Sequence, residues 1–243
     1  MSMKHLKIIL FFSLVTNYVT TFSQVNFSGI VHYESTINKN TLTNYLKNRR
    51  DTIDENLVKT LDKVYLQLKP IQSKLTFNNG SGLFKVLDQM STKDNDLGMN
   101  IAKVSAGGSK EYFYDDPNKK YLIKDCETLG ECFVYPNKYL EWQLTQESKI
   151  VNGYRVFKAT RSNRKVIAWY TTKIPVNFGP KGEYGLPGLI LEIEIGKTIF
   201  KAKKIILNPK EKIKVKKPKG NLVTLEEYSK MIKKGTQSIF GKK

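Results

Sequence analysis

The chain has little of what most protein chemistry requires. Among 243 residues there are two histidines, two cysteines and two tryptophans. One histidine, His5, sits in the basic N-terminal segment, so His32 is the single imidazole of the remaining chain. A zinc site, a Ser-His-Asp centre or a Cys-His centre therefore has almost no material to draw on. No Gly-x-Ser-x-Gly elbow occurs. Gly196-Lys197-Thr198 lacks the glycine that a phosphate loop needs five residues upstream, where Leu191 stands, and reads as a hairpin turn. Gly182, Gly185 and Gly188 do not match the dinucleotide fingerprint. Asp94 and Asp96 lack the third ligand, the fixed glycine and the terminal glutamate of a calcium loop. No cofactor and no metal are expected.

Long apolar runs are also missing. Ile8 to Val15 is too short to span a bilayer. With Lys4, His5 and Lys7 before it and Thr21-Phe22-Ser23 after it, this stretch reads as a secretory signal over residues 1–23. The expected location is therefore the periplasm or the outer membrane, with secretion beyond the cell as the further option. No cysteine lies near the cleavage edge to carry a lipid anchor. In an oxidising compartment, the even pair Cys126 and Cys132 is expected to form a disulfide around Gly130.

Acid is scarce: 22 Asp and Glu stand against 41 Lys and Arg, for a formal net charge of +19. Export argues against nucleic acid as the counter-charge. Anionic lipid, lipopolysaccharide, acidic glycan or an acidic partner protein fit better, with the lysine-rich stretch Lys197–Lys219 as the contact. Oligomeric state is open.

What is abundant is aromatic and β-branched residue, including 13 Tyr and 12 Phe. Alternating strands are expected at 25–34, 74–77, 83–87, 112–114, 121–124, 133–135, 139–145, 154–160, 166–171, 189–195 and 198–207. Asn78-Asn79-Gly80, Asp115-Asp116-Pro117-Asn118 and Asn152-Gly153 mark turns between them. Residues 41–63 change to a helical period, with Leu42, Tyr45, Leu46, Ile53, Leu57 and Leu61 on one stripe. Residues 91–109 are low in apolar content and read as loop. Ile213 and Val215, alternating with lysines, suggest a short exposed strand or arm. Thr224-Leu225-Glu226-Glu227 is a capping box that opens a short helix, with Gly235 as its stop.

For acid–base chemistry the available carboxylates are Asp125, Glu183, Glu192 and Glu194. Glu192 and Glu194, two apart on a strand, would lie about 7 Å from each other. Trp142, Trp169 and Tyr170 could stack on sugars or fill the core.

The densest punctuation is Gly179 to Gly196, where glycines at 179, 182, 185 and 188 and prolines at 180 and 187 run into an alternating strand. Together with what precedes it, this stretch resembles the GLPGLI family, exported proteins typical of Bacteroidota. The matching blocks are Ile150-Val151-Asn152-Gly153-Tyr154, then Ala168-Trp169-Tyr170-Thr171, then Gly179-Pro180 with Gly185-Leu186-Pro187-Gly188-Leu189-Ile190. Family members often carry a cysteine two residues after the tyrosine of the first block, where this chain has Val156, so the Cys126–Cys132 pair is its own. The resemblance implies an envelope or secreted location and brings no catalytic assignment. The matched residues are expected to be structural.

The expected fold is α+β and mainly β: a curved antiparallel sheet, half-barrel or bowl, with a packed amphipathic helical region and a short C-terminal helix. Residues 24–220 would form one domain and 221–243 a capping helix with a basic tail. The expected function is that of an exported, non-enzymatic envelope protein binding a lipid, a peptide or an outer-membrane partner. The alternative is a glycan-active enzyme or an accessory domain of glycan processing.

Overall fold

The computed structural model describes residues 27–38, 56, 59, 68–88, 97–163 and 165–240. The signal expected at 1–23, Asp94 and Asp96 lie outside them, as does the helical stripe expected at 41–63 apart from Asn56 and Lys59, which are helical.

Among the described residues twelve strands form one sheet. The first meander holds β1 (Ser28–Ile37), β2 (Ile71–Asn78), β3 (Ser81–Val86), β4 (Glu111–Asp115), β5 (Lys120–Asp125) and β6 (Phe133–Pro136). The second holds β7 (Gln143–Val151), β8 (Tyr154–Arg161), β9 (Val166–Thr171), β10 (Leu189–Ile195) and β11 (Thr198–Leu207). Each meander pairs its neighbours antiparallel, and β1 pairs with β11 to join the two. A short β12 (Asn221–Leu222) lies parallel to β6, which makes the sheet mixed. Among the described residues, two helices described over their full length accompany it, α1 (Leu97–Ala106) and α2 (Leu225–Phe240).

The turns follow from their residues. Asn79-Gly80 and Asn152-Gly153 all take positive φ, as a two-residue hairpin turn demands. Gly196, also at positive φ, turns β10 into β11.

Strand order dictates the curl. β6 lies next to one end of the sheet and β7 forms the other end. Only residues 137–142 join them, a span of about 20 Å at full extension. The sheet must therefore roll up until its ends approach, leaving a seam that those six residues bridge. Inward-facing residues from both meanders, among them Val31, Tyr33, Leu75, Phe84, Ala168, Ile193 and Phe200, share one buried cluster.

The concave side is filled. The segment 174–188 leaves β9, crosses the inside of the curl and returns as β10, acting as a plug. Phe178 stacks on Tyr114 with ring centres 4.9 Å apart and meets Phe77 edge-on at 6.5 Å. Gly82 on β3 leaves room for it, since a methyl there would lie 2.9 Å from the Phe178 ring.

Three readings of the sequence are corrected. Residues 97–106 form α1 and not a loop: Met99, Ala102 and Ala106, spaced three and four apart, face the core, and the two alanines barely register as hydrophobic pattern. The strand expected at 139–145 begins only at Gln143 and continues to Val151. The Tyr139-to-Trp142 alternation belongs to the seam crossing. Gly235 does not stop α2, which runs on to Phe240. The capping box forms as expected, with the Glu227 amide donating to Thr224 Oγ1 at 3.1 Å and the Thr224 amide donating to Glu227 at 2.8 Å.

Candidate functional site

The plug is held by hydrogen bonds that the glycine-rich sequence makes available. Its backbone carbonyls accept from three aromatic or amide side chains: Tyr114 Oη donates to Gly179 O at 2.7 Å, Asn137 Nδ2 to Gly182 O at 2.6 Å and Trp142 Nε1 to Tyr184 O at 2.8 Å. Tyr33 Oη donates to Ile190 O at 2.5 Å where the plug becomes β10. Tyr33 and Tyr114 are fully buried, and burial pushes both phenols far above their ordinary value, so they stay neutral donors. Gly179 lies against Ile190 with no room for a methyl, and Gly188, at φ +154°, lies against the Thr171 carbonyl.

Two of these bonds come from the seam crossing, Asn137 to Trp142, which acts as a strap tied down to the plug. A third tie adds charge. Glu183 of the plug pairs with Arg161 at the end of β8 at 2.5 Å, with side chains only 7% and 10% exposed. The Arg161 guanidinium also lies 5.3 Å from the centre of the Trp142 ring. Burial raises Glu183 above the ordinary carboxylate value, and Arg161 opposes that rise. Lys181, itself pushed down by burial, donates to Ser105 O of α1 at 2.7 Å.

The strap leaves an open groove on each flank. The larger, about 650 Å³, lies between the β4–β5 turn, the strap and the plug. Tyr121, Tyr139 and Tyr184 give it aromatic walls, with Pro136 and Leu140 beside them and Lys119 and Lys120 at the rim. Tyr121 and Tyr184 stack at 3.7 Å, while Tyr139 is 81% exposed. The polar groups here hold the walls in place. Asp116 accepts from Tyr121 Oη at 2.6 Å, from Lys119 at 2.9 Å and from Asn177 Nδ2 at 3.0 Å. Burial alone would raise Asp116, but these bonds hold it below its ordinary value as an anion. Tyr184 Oη donates to Lys138 O at 2.9 Å. The smaller groove, about 390 Å³, lies on the other side of the strap among Glu141, Gln143, Arg161 and Asn163.

The residues singled out from sequence are scattered. Gly153 sits in the exposed β7–β8 turn and Tyr154 opens β8. Ala168 and Tyr170 face the core from β9, and Trp169 faces outward under the Lys149 ammonium at 4.3 Å. Pro180, Leu186, Leu189 and Ile190 are buried plug and strand residues, whereas Pro187 is exposed. Only Gly185, at φ +91°, lines the large groove. Cys126 and Cys132 are joined as a disulfide.

The four carboxylates do not converge. Glu192 pairs with Lys149 at 2.8 Å and Glu194 accepts from Asn38 at 2.7 Å, both on the outer face. Asp125, 2% exposed, pairs with Lys110 at 2.9 Å and accepts from Tyr228 at 2.7 Å, which fastens α2 to the sheet. Among the described residues no cluster of His, Cys, Asp and Glu is placed to hold a metal ion. Sequence reading missed the groove residues Asp116, Tyr121, Asn137, Tyr139, Asn177 and Tyr184. They come from separate segments, and only the seam brings them together.

No curated protein matches the chain. Two crystal structures of PNGF-II, in space groups P21 and C2, are similar to it at 15% and 16% identity, with TM-scores of 0.49 and 0.48. Those matches cover 85% and 86% of this chain and 33% of each of those chains, so this chain spans about a third of their length. Residues 160–192, from the end of β8 through the plug into β10, match the model of a family described as "Protein of unknown function (Porph_ging)".

Proposed function

We propose that this is an exported cell-envelope protein that binds an extended segment of a partner polypeptide in the large seam groove, without catalysing a reaction. The observation that carries the reading is the groove itself: three tyrosines, one of them 81% exposed, held by Asp116 and by the plug beside an opening of about 650 Å³. A volume of that order suits a few side chains of a partner. The plug already fills the concave side, which favours a peptide at the rim over a lipid tail inside. Lys119 and Lys120 at the rim favour a segment whose apolar or aromatic anchor is flanked by acids.

Export rests on the basic and apolar pattern of residues 1–23 and on the disulfide, which suits an oxidising compartment. The GLPGLI resemblance supports the same location. A second reading, an accessory role in glycan processing, draws on the exposed Tyr139 face, which is also a platform for a sugar ring.

The test is a display library of extended peptides panned against the full chain and its Tyr139→Ala variant. Tyr139 is exposed, so the variant should melt as the parent does and lose peptide binding at least tenfold. Selected peptides should share an apolar anchor next to Asp or Glu. If Tyr139→Ala binds them as well as the parent, the groove is not the site. If neutral oligosaccharides displace the peptides, the second reading replaces the first.

A further inference from the structure

The outer face of the sheet carries a feature that the groove does not use. Register places Lys204 of β11 opposite His32 of β1, His32 opposite Lys74 of β2, Lys74 opposite Lys85 of β3, Lys85 opposite Glu111 of β4 and Glu111 opposite Lys124 of β5. This is one row across six neighbouring strands, about 24 Å long at the usual strand spacing. Lys124 is neutralised by Glu111 at 3.6 Å. Lys74, Lys85 and Lys204 have no ion pair among the described residues. Like charges placed directly opposite each other on a sheet are destabilising. The positive field is felt by His32, which burial and then Lys74 and Lys204 hold below the ordinary imidazole value.

The basic stretch after β11 adds a second line. It is pinned against the same face. Asn78 Nδ2 donates to Ile213 O at 2.9 Å, and Val215 packs against the cluster of Phe113, Leu122 and Val134, which Leu83 also joins. Asn221 then donates to Cys132 O at 2.8 Å where β12 begins. Leu83, Phe113 and Leu122 are themselves register partners, two residues along their strands from Lys85, Glu111 and Lys124. The arm therefore slants toward the lysine row, from about 13 Å away at Asn78 on β2 to about 7 Å at Leu83, Phe113 and Leu122, and meets its line at Val134, the register partner of Lys124. Six lysines between Lys210 and Lys219 are exposed and have no ion pair among the described residues, with Glu211 as the single acid between them.

We propose that the row and the arm form a track for a linear acidic polysaccharide wrapped around the outside of the curled sheet. Shape selects this occupant. Half of the twelve strands of a sheet whose ends nearly meet turn through roughly half a circle. A flat membrane touches such a surface along a narrow line and leaves most of the row unsatisfied, whereas a flexible chain of regularly spaced acids follows the curve. Single-stranded nucleic acid is bound through aromatic platforms between the charges. Apart from the half-buried His32, no position of the row or of the arm from 208 to 219 carries an aromatic ring, and Phe113 is buried beneath Val215.

The experiment titrates the full chain with fluorescent polygalacturonate oligomers and compares two triple variants of equal charge. Lys212→Gln, Lys214→Gln and Lys216→Gln remove half of the arm's six lysines. Lys165→Gln, Lys173→Gln and Lys233→Gln remove the same charge elsewhere. The arm variant should bind at least tenfold more weakly with an unchanged melting temperature, and its salt dependence should flatten by about one unit of slope per lysine removed. The control should bind as the parent does. Lys74→Gln with Lys85→Gln should weaken binding in the same way. The proposal is overturned if the control loses as much as the arm variant, or if neutral dextran binds equally. It is also overturned if anionic phosphatidylglycerol vesicles or oligo-dT bind more tightly through the same lysines.

Discussion

Gly188 is the position where one methyl group tests the plug most directly. Its φ of +154° lies in a region that only glycine occupies without strain, and an added Cβ would stand 2.1 Å from the Thr171 carbonyl oxygen. That oxygen is backbone, and Thr171 is the register partner of Leu189, so relief requires β9 and β10 to part where the plug enters the sheet. The backbone conformation costs about 1–3 kcal/mol. Overpacking adds about 1–3 kcal/mol, and a weakened ladder hydrogen bond about 1 kcal/mol. Gly188→Ala is therefore expected to cost about 4 kcal/mol, against a total stability of about 5–15 kcal/mol. For a chain of this size that lowers Tm by about 8–16 °C. Gly153→Ala is the internal reference: it also has positive φ, but no atom lies within 4 Å of the added methyl. Its cost is the left-handed conformation alone, about 1 kcal/mol. Both variants are to be melted by circular dichroism alongside the parent. Equal losses would show that the close approach to Thr171 does not matter. An unchanged Gly188→Ala melt with lost binding would make the plug itself the ligand site.

Arg161→Leu leaves Glu183 buried and unpaired, at about 3–5 kcal/mol near neutral pH. Because the folded state holds the Glu183 proton more tightly than the unfolded chain, stability is greatest below the ordinary glutamate value and falls as pH rises through the raised one; the variant extends that fall upward, and urea unfolding midpoints at pH 4 to 8 that differ from the parent by a constant amount would refute this. Asp125 behaves oppositely: burial alone would raise it, but bonds from Thr128, Lys110 and Tyr228 hold it well below its ordinary value, so its contribution is present above that value and is lost as pH falls. Asp125→Asn should therefore flatten the acid limb of the stability curve, and an unchanged acid midpoint would count against the role given to Tyr228 and α2. Reducing Cys126–Cys132 opens a short loop worth about 2 kcal/mol; the melt should drop by about 4–8 °C with polypeptide binding intact, and a loss of binding on reduction would place the cysteine loop in the site.

The strands were legible because alternation and turn residues agree locally. Asn79-Gly80 and Asn152-Gly153 announce their hairpins without help from distant contacts. Helix α1 was not legible because its core face is Met99, Ala102 and Ala106, and small residues carry burial without much hydrophobic signal. Tyr139-Leu140-Glu141-Trp142 has the period of a strand. It forms none, and the strap is tied to the plug instead: Trp142 Nε1 donates to Tyr184 O, and the Tyr184 hydroxyl donates to Lys138 O. The groove was invisible for a related reason. Asp116 reads as a turn residue and Tyr184 as part of a glycine-rich loop, and only the closure of the sheet makes them neighbours.

The segment matched by the family model, 160–192, is best understood as a closure device. It contains Arg161 and Glu183, the ion pair that ties β8 to the plug. It contains Gly179 and Gly182, whose carbonyls accept from Tyr114 and Asn137. None of this requires a ligand; it is what a rolled, unclosed sheet needs if its concave face is not to stay empty. Only about a quarter of the large groove's lining comes from this segment, through Asn177, Tyr184 and Gly185. Its other wall, Asp116, Lys119, Tyr121 and Tyr139, comes from the β4–β5 hairpin and the strap, outside the match. Two chains that share the matched segment can therefore share the scaffold and still differ in what they bind. Exchanging residues 117–121 and 138–141 between them, with Asp116, Asn137 and Trp142 kept for their bonds to the plug, should transfer binding preference while leaving the plug, and with it the stability, in place.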